Sequence, residues 1–230
     1  MATAKQILAE LKRHSDPASV RGMATVGINP ENSYGICMPR LMATAKRIGT
    51  DHALAQELWA SGIRDARILA TMVEDPALVT GRQMDSWAKD FNSWDVCDSA
   101  CMRVFWRAEG ARGKIAQWSR SREEFVKRAA FSLLAFLAIH DKKAPDREFE
   151  KFLPLIERAA SDDRNYVKKA VNWALRTIGK RSLSLNRAAV KVAAKLSKSK
   201  SKSARWIGAD ALRELKGEKI QKRLLKREVI

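Results

Sequence analysis

The sequence predicts an all-α fold on three observations. Apolar residues recur at spacings of three and four along most of the chain, the period of an amphipathic helix. No stretch alternates polar and apolar residues long enough to make a strand. The helical segments also resemble one another at nearly constant intervals.

In chain order the segments are "AKQILAELKR" (4–13), "RLMATAKRI" (40–48), "ALAQELWAS" (53–61), "IRDARILATMV" (63–73), "EEFVKRAAFSLLAFLAI" (123–139), "EFEKFLPLIERAA" (148–160), "NYVKKAVNWALRTIG" (165–179), "SLNRAAVKVAAKL" (184–196) and "SARWIGADALREL" (203–215). Asp, Ser or Thr marks the starts, and Gly, Asn or Pro the stops. The longest apolar stretch, "AAFSLLAFLAI" at 129–139, is too short to span a membrane. The first residues, "MATAKQILAELKRHS", carry an acid and have no continuous apolar core, so they do not read as a signal peptide.

The internal likeness sets the architecture. "FVKRAAFSLL" from Phe125, "YVKKAVNWAL" from Tyr166 and "SARWIGADAL" from Ser203 align without gaps, at offsets of 41 and 37 residues. "DARILATMV" from Asp65 is a weaker fourth copy. A period near 40 with an Ala-rich apolar run fits HEAT or armadillo units, helix pairs that cannot hide their apolar faces alone and therefore stack. The expectation is a right-handed α-solenoid of HEAT-like helix pairs with a concave basic groove. One repeat domain covers residues 1–217, and 218–230 form a basic C-terminal tail, partly helical and DNA-binding. Arg128 and Lys169 occupy matching places in successive units, which predicts that they line up on the inner face.

Charge names the kind of partner. Lys and Arg number 44 against 26 acids, a net charge of +18. From Lys180 onward there are 16 basic and 4 acidic residues, so two-thirds of the excess sits in the last 51 residues. Such a balance favours a polyanion, nucleic acid first and an anionic membrane surface second. Cys37, Cys97 and Cys101 are too few and too odd in number for a disulfide framework, and Cys97 and Cys101 read as small buried hydrophobes. His14, His52 and His140 have no neighbours at zinc-ligand spacing. The chain reads as cytoplasmic, nucleoid-associated when on DNA, with no metal and no cofactor. Trp59, Trp87, Trp106 and Trp118 are expected in the core or in the groove wall.

One segment resists the trend. "NSWDVCD" (92–98) sets two acids beside a tryptophan in a strongly basic chain. On a helix, Trp94 and Asp98 share a face, while Asp95 points elsewhere and serves the first turn, where an acid suits the helix dipole. By default Asp98 is a surface or ion-paired acid. On a concave surface it would lie among Arg128, Lys169 and Trp173, where an acid weakens phosphate binding. That cost is reasonable if something cationic is held there. An N3- or N7-alkylated purine is such a cation. Its positive charge weakens the bond to the sugar, so the base leaves without a general acid. One carboxylate then suffices to stabilise an oxocarbenium-like sugar and orient a water. Indole faces attract the cation by roughly 0.5–2 kcal/mol per contact, and arginines fix the flanking phosphates.

The ordered set "SYGICMPRLMATAKRI", "ELWASGIRDARILATMV", "NSWDVCDSA", "EEFVKRAAFSL" and "VKKAVNWALRTIGK" resembles the AlkD-like DNA alkylation repair family, HEAT-like helical-repeat proteins, over roughly Tyr34 to Lys216. The resemblance implies a monofunctional glycosylase that removes positively charged N3- and N7-alkylpurines. It implies a duplex held in the concave face without flipping the lesion into a pocket, unlike most glycosylases. It makes Asp98 the catalytic aspartate, Trp94 and Trp173 the aromatics at the lesion, and Arg128 the arginine that engages DNA near it. Arg176 and Lys180 match backbone-binding positions on the helix of Trp173. Lys169, Lys46 and Arg205 complete the expected DNA-binding set. The partner is then double-stranded, alkylated DNA, and the protein a monomer. The chain departs from the pattern at Ser93, where members often have a second Trp. It departs again at Met38 and Met42, where polar and basic DNA-contacting positions are expected. "KLSKSKSKSARW" and "KGEKIQKRLLKREVI" add charge beyond it. Some relatives keep the fold but bind branched DNA without excision, which makes a non-catalytic DNA-structure binder the alternative.

Overall fold

A computed structural model describes residues 3–228, and among them regular structure is helical throughout, with no strand. The chain divides into two compact units, Met1–Ala111 and Arg112–Ile230.

The first unit contains α1 (Ala4–Arg13), α2 (Pro17–Met23), α3 (Met38–Ile48), α4 (His52–Ala60), α5 (Arg64–Val73), α6 (Gly81–Lys89) and α7 (Trp94–Arg103). Short polar side chains start several of them by accepting backbone N–H groups that would otherwise lack partners. Thr3 opens α1 in a capping box with Gln6, Asp16 caps α2, Asp51 caps α4 and Thr80 caps α6. The apolar side of α5 (Ala66, Ile68, Leu69, Ala70 and Val73) is fully buried, and α3, α4 and α7 pack around this helix. Helices α2 and α6 are absent from the list of sequence-predicted segments. Seven residues give α2 too few turns for an apolar period to declare itself, and α6 carries only three apolar side chains, Met84, Trp87 and Ala88, among polar ones. Helix α6 nevertheless supplies Trp87, which stacks on Trp59 with centroids 3.9 Å apart and rings 2° from parallel. Trp59, Trp87 and Trp118 are core residues as expected, while Trp106 is half-buried and donates its indole N–H to Met102 O at 2.8 Å.

A buried carboxylate shapes the approach to α3. Asp65 accepts hydrogen bonds from Ser33 Oγ (3.0 Å), Tyr34 N (2.6 Å) and Ile36 N (2.9 Å). The loop closes tightly because Gly35 takes φ +74° against Asp16 O, where a β-carbon would collide.

In the second unit, from α8 (Ala111–Trp118) onward, the helices are α9 (Glu124–His140), α10 (Arg147–Glu150), α11 (Leu153–Ala159), α12 (Asn165–Ile178), α13 (Leu183–Ser197), α14 (Lys202–Leu215) and α15 (Glu218–Glu228). The single helix predicted over 148–160 is two. Pro154 has no N–H and its ring opposes the carbonyl four residues back, so the helix stops and restarts with proline in its first turn. Helix α9 packs on α12, and α12 on α14, joining the three segments that align in sequence. Ring contact between Phe125 and Tyr166 (5.2 Å), the first residues of two aligned segments, reflects that register. Side chains link each repeat to the next at a separation of 38 residues: Arg128 Nη1 to Tyr166 O (2.9 Å), Asn172 to Asp210 (2.7 Å) and Arg176 to Glu214. Helices α13 and α14 touch backbone to backbone at Gly208, where a β-carbon would lie 2.5 Å from Ala193 O. The tail is ordered into α15, with Leu224 buried and Gln221 donating to Leu215 O (2.6 Å). Val229 and Ile230, the end of that predicted tail, lie outside the described residues.

Asp162 joins three of these helices. Its carboxylate pairs with Arg164 (2.6 Å) and with Lys127 on α9 (3.0 Å), and its carbonyl accepts Ser203 Oγ of α14 (2.7 Å). Hydrogen bonding from Arg164, with Lys127, holds the carboxyl at about 2, below its ordinary 3.8. A depressed pKa stabilises the fold above the ordinary value, and the gain is lost as pH falls through the folded one. Between pH 4 and pH 2 the protein should lose on the order of 1 kcal/mol from this group, allowing for solvent screening. Urea unfolding across that range should show the loss in the wild type, and Asp162→Asn should lack this share of it.

Candidate nucleic-acid interface

Trp94 is the first residue of α7 and Asp98 stands one turn further on; both are half-buried. The start of this helix is fixed from four sides. Arg64 of α5 donates to Asp95 Oδ2 through Nε (2.7 Å) and Nη2. Ser93 Oγ donates to Asp95 Oδ1 (2.6 Å) and accepts from Asn29 N (3.3 Å). The Trp94 indole N–H donates to Val26 O (3.2 Å). Asp95, expected to serve the helix dipole, has a larger role. It is a buried carboxylate locked to an arginine whose side chain is only 12% exposed. Nothing in the local sequence signals this pair, because the partners are 31 residues apart. The departure at Ser93 also has a physical reason: the residue is 1% exposed and its hydroxyl bridges two elements, leaving no room for an indole.

Met38 and Met42 are 39% and 54% exposed. With Lys46, also exposed, they recur every four residues on α3 and so form one stripe.

Within the second unit, Trp173 meets Phe136 edge-on (4.9 Å, 86°) and is half-buried. It borders a cavity of about 470 Å³ whose lining includes Lys142, Asp146, Lys180, Arg181 and Arg223. Sequence reasoning named Trp173 and Lys180 here and missed Arg181 and Arg223. Arg181 is held rigidly, donating to Ala138 O (2.7 Å) and Ala144 O (3.1 Å) with its guanidinium 4.0 Å from the Phe149 ring centroid. Arg176 and Lys180 share one partner, Glu214. Burial pushes the Glu214 carboxyl up, but the Lys180 hydrogen bond and the charges of Arg176 and Lys180 outweigh it and leave the group below its ordinary value.

Arg128 and Lys169, expected side by side on an inner face, differ sharply. Lys169 is exposed, whereas Arg128 is 7% exposed and its guanidinium reaches the carbonyl of Tyr166 in the next repeat. Sequence alignment of the repeats matched their backbones but could not show that the longer, forked side chain turns inward. Arg205 is exposed, yet donates to Ser199 O (2.9 Å) and Lys200 O (2.8 Å), tying the Lys/Ser-rich connection to α14. Of the predicted site residues, Trp94, Asp98 and Lys46 belong to the first unit, and Arg128, Lys169, Trp173, Arg176, Lys180 and Arg205 to the second. Among the described residues no group of three or more His, Cys, Asp or Glu could hold a metal ion, and no helix is long and apolar enough to cross a membrane.

Paired helices joined at a constant interval define a HEAT-like helical-repeat protein. The chain shares its fold with a solved structure described as "a new family of proteins related to the HEAT-like repeat DNA glycosylases with affinity for branched DNA structures" (TM-score 0.74, 20% identity, 92% of this chain and 95% of that one). The profile of the DNA alkylation repair enzyme family matches residues 7–215, and the chain belongs to that family. A designed armadillo repeat protein in complex with a (KR)4 peptide superposes only loosely (TM-score 0.37, 12% identity, 91% of this chain and 96% of that one). No curated protein sequence matches the chain.

Proposed function

We propose that the protein is a DNA glycosylase that removes positively charged N3- and N7-alkylated purines from double-stranded DNA, acting as a monomer. The observation that carries this reading is a carboxylate, Asp98, one helical turn from the Trp94 indole on a rigidly anchored helix of a DNA alkylation repair family member with net charge +18. As the glycosidic bond breaks, its electron pair passes to the purine and neutralises the ring, so no acid need protonate the leaving base. Positive charge grows on the sugar, where Asp98 stabilises it and orients the water that adds to C1′ and gives up a proton to solvent. Trp94 and Trp173 offer indole faces to the cationic base and sugar. Arg176, Lys180, Lys169, Lys46 and Arg205 hold backbone phosphates, and Arg128 supports the DNA contact near the lesion from its anchored position.

The test is direct. Duplex carrying a single N7-methylguanine is incubated with the protein, and free 7-methylguanine is sought by chromatography. Release supports the reading. Binding without release from any cationic lesion favours the second reading, a non-catalytic binder of branched DNA. The described affinity of the related solved structure supports that alternative.

The phosphate role of Arg176 and Lys180 has its own test. Glu214 competes with DNA for both, so Glu214→Gln should tighten binding to undamaged duplex. Release of the pair is worth on the order of 1 kcal/mol, about fivefold in affinity at low salt, and the difference should shrink as salt rises. Fluorescence anisotropy at two salt concentrations measures it. An unchanged affinity would remove these two residues from the interface.

A further inference from the structure

Of the seven tryptophans, three are buried and three half-buried; Trp206 on α14 alone is exposed, at 43%. The core face of α14 is formed by Ser203, Ala204, Ile207, Gly208, Ala211 and Leu215, and Trp206 is not part of it. The Lys168 ammonium of α12 stands 5.1 Å from its ring centroid. Lys202 lies one turn before it on the same helix face and is exposed, as are Lys198 and Lys200 in the connection that Arg205 ties to α14. The run from Lys198 to Trp206 contains four basic residues and no acid. Asp210, one turn beyond Trp206, is occupied by Asn172, Arg176 and Arg213.

We propose that Trp206 is a stacking platform for an unpaired DNA base, with Lys168 and Lys202 on the flanking phosphates. An exposed indole with one ammonium at its ring and a second lysine one helical turn away suits this ligand, since every base has a π-face and every nucleotide a phosphate. Bases inside a duplex are already stacked, so the surface ring is available only to an unpaired one. A protein partner would want an apolar surround, and among the described residues of the second unit the only other large exposed hydrophobic is Leu225, on α15. None of Trp206, Lys168 and Lys202 belongs to the set proposed for excision. The platform would let the protein hold single-stranded overhangs, flaps or frayed ends next to the duplex it binds. The proposal rests on DNA being the partner.

The test compares a blunt duplex with the same duplex bearing an oligo-dT overhang, by fluorescence anisotropy, for wild type, Trp206→Ala and Trp206→Phe. Wild type should prefer the overhang. Trp206→Ala should weaken overhang binding about tenfold, the loss of one base–aromatic stack, and leave blunt-duplex binding unchanged. Trp206→Phe should retain part of the preference. Equal wild-type affinity for both probes overturns the platform while DNA binding stands, as does an equal loss on both probes in Trp206→Ala. Failure of wild type to bind either probe overturns the DNA reading and this proposal together. Because Trp206 is exposed, circular dichroism should show all three proteins folded alike.

Discussion

Asp98→Asn should slow single-turnover excision of a cationic purine by about 10²–10³-fold, the usual cost of removing one well-placed group that stabilises transition-state charge. The substitution keeps volume and much of the hydrogen-bonding capacity and deletes only the charge. A carboxylate that acts as positive charge grows on the sugar affects the rate and not the ground state. Binding to undamaged duplex should therefore stay equal or tighten, because an acid has left a basic protein. A thermal melt of the variant beside the wild type separates a loss of rate from a loss of fold. Excision at the wild-type rate would end the catalytic role of Asp98.

The second large effect is expected at Arg64, in stability. Arg64→Ala strips the partner from Asp95, which is 9% exposed, and removes a contact to the fully buried Asp65. An uncompensated buried charge typically costs about 3–5 kcal/mol. Urea unfolding should register that loss in the first unit. Excision should fall as well, because α7 then loses the clamp that fixes Trp94 and Asp98. Replacing the pair by apolar residues, Arg64→Met with Asp95→Leu, should recover much of the stability, since the penalty lies in the orphaned charge. If Arg64→Ala unfolds like the wild type, the clamp contributes nothing. The contrast is informative: two aspartates three residues apart should separate cleanly, Asp98 into rate and Asp95 into stability.

Much of this molecule could be read from the chain, for a definite reason. Long amphipathic helices announce themselves by period, so 4–13 and 165–179 match α1 and α12 to within a residue. The repeat spacing carried over into contacts at 38 residues. Short helices such as α2 escaped, and the break at Pro154 was hidden inside a good apolar pattern. The candidate site was legible where residues share one helix, as Trp94 and Asp98 do. It was not legible where side chains meet across elements. Neither Arg64 beneath Asp95, nor Glu214 between Arg176 and Lys180, nor the inward turn of Arg128 leaves any local trace.

The regular 38-residue interval in the second unit also bears on how the chain reaches its structure. Every such link joins neighbouring repeats, so no contact of this kind must wait for distant chain ends to meet. Closing a loop of that length is an affordable entropic step, and topologies dominated by near-neighbour contacts fold quickly. Helices α9 and α12, which pack together over their length and share the Asp162 junction, form a natural nucleus from which order spreads by adding one repeat at a time. Helix α15, the last of the array, should dock last and open first, so amide exchange in the native protein should graduate along this unit rather than switch at a single boundary.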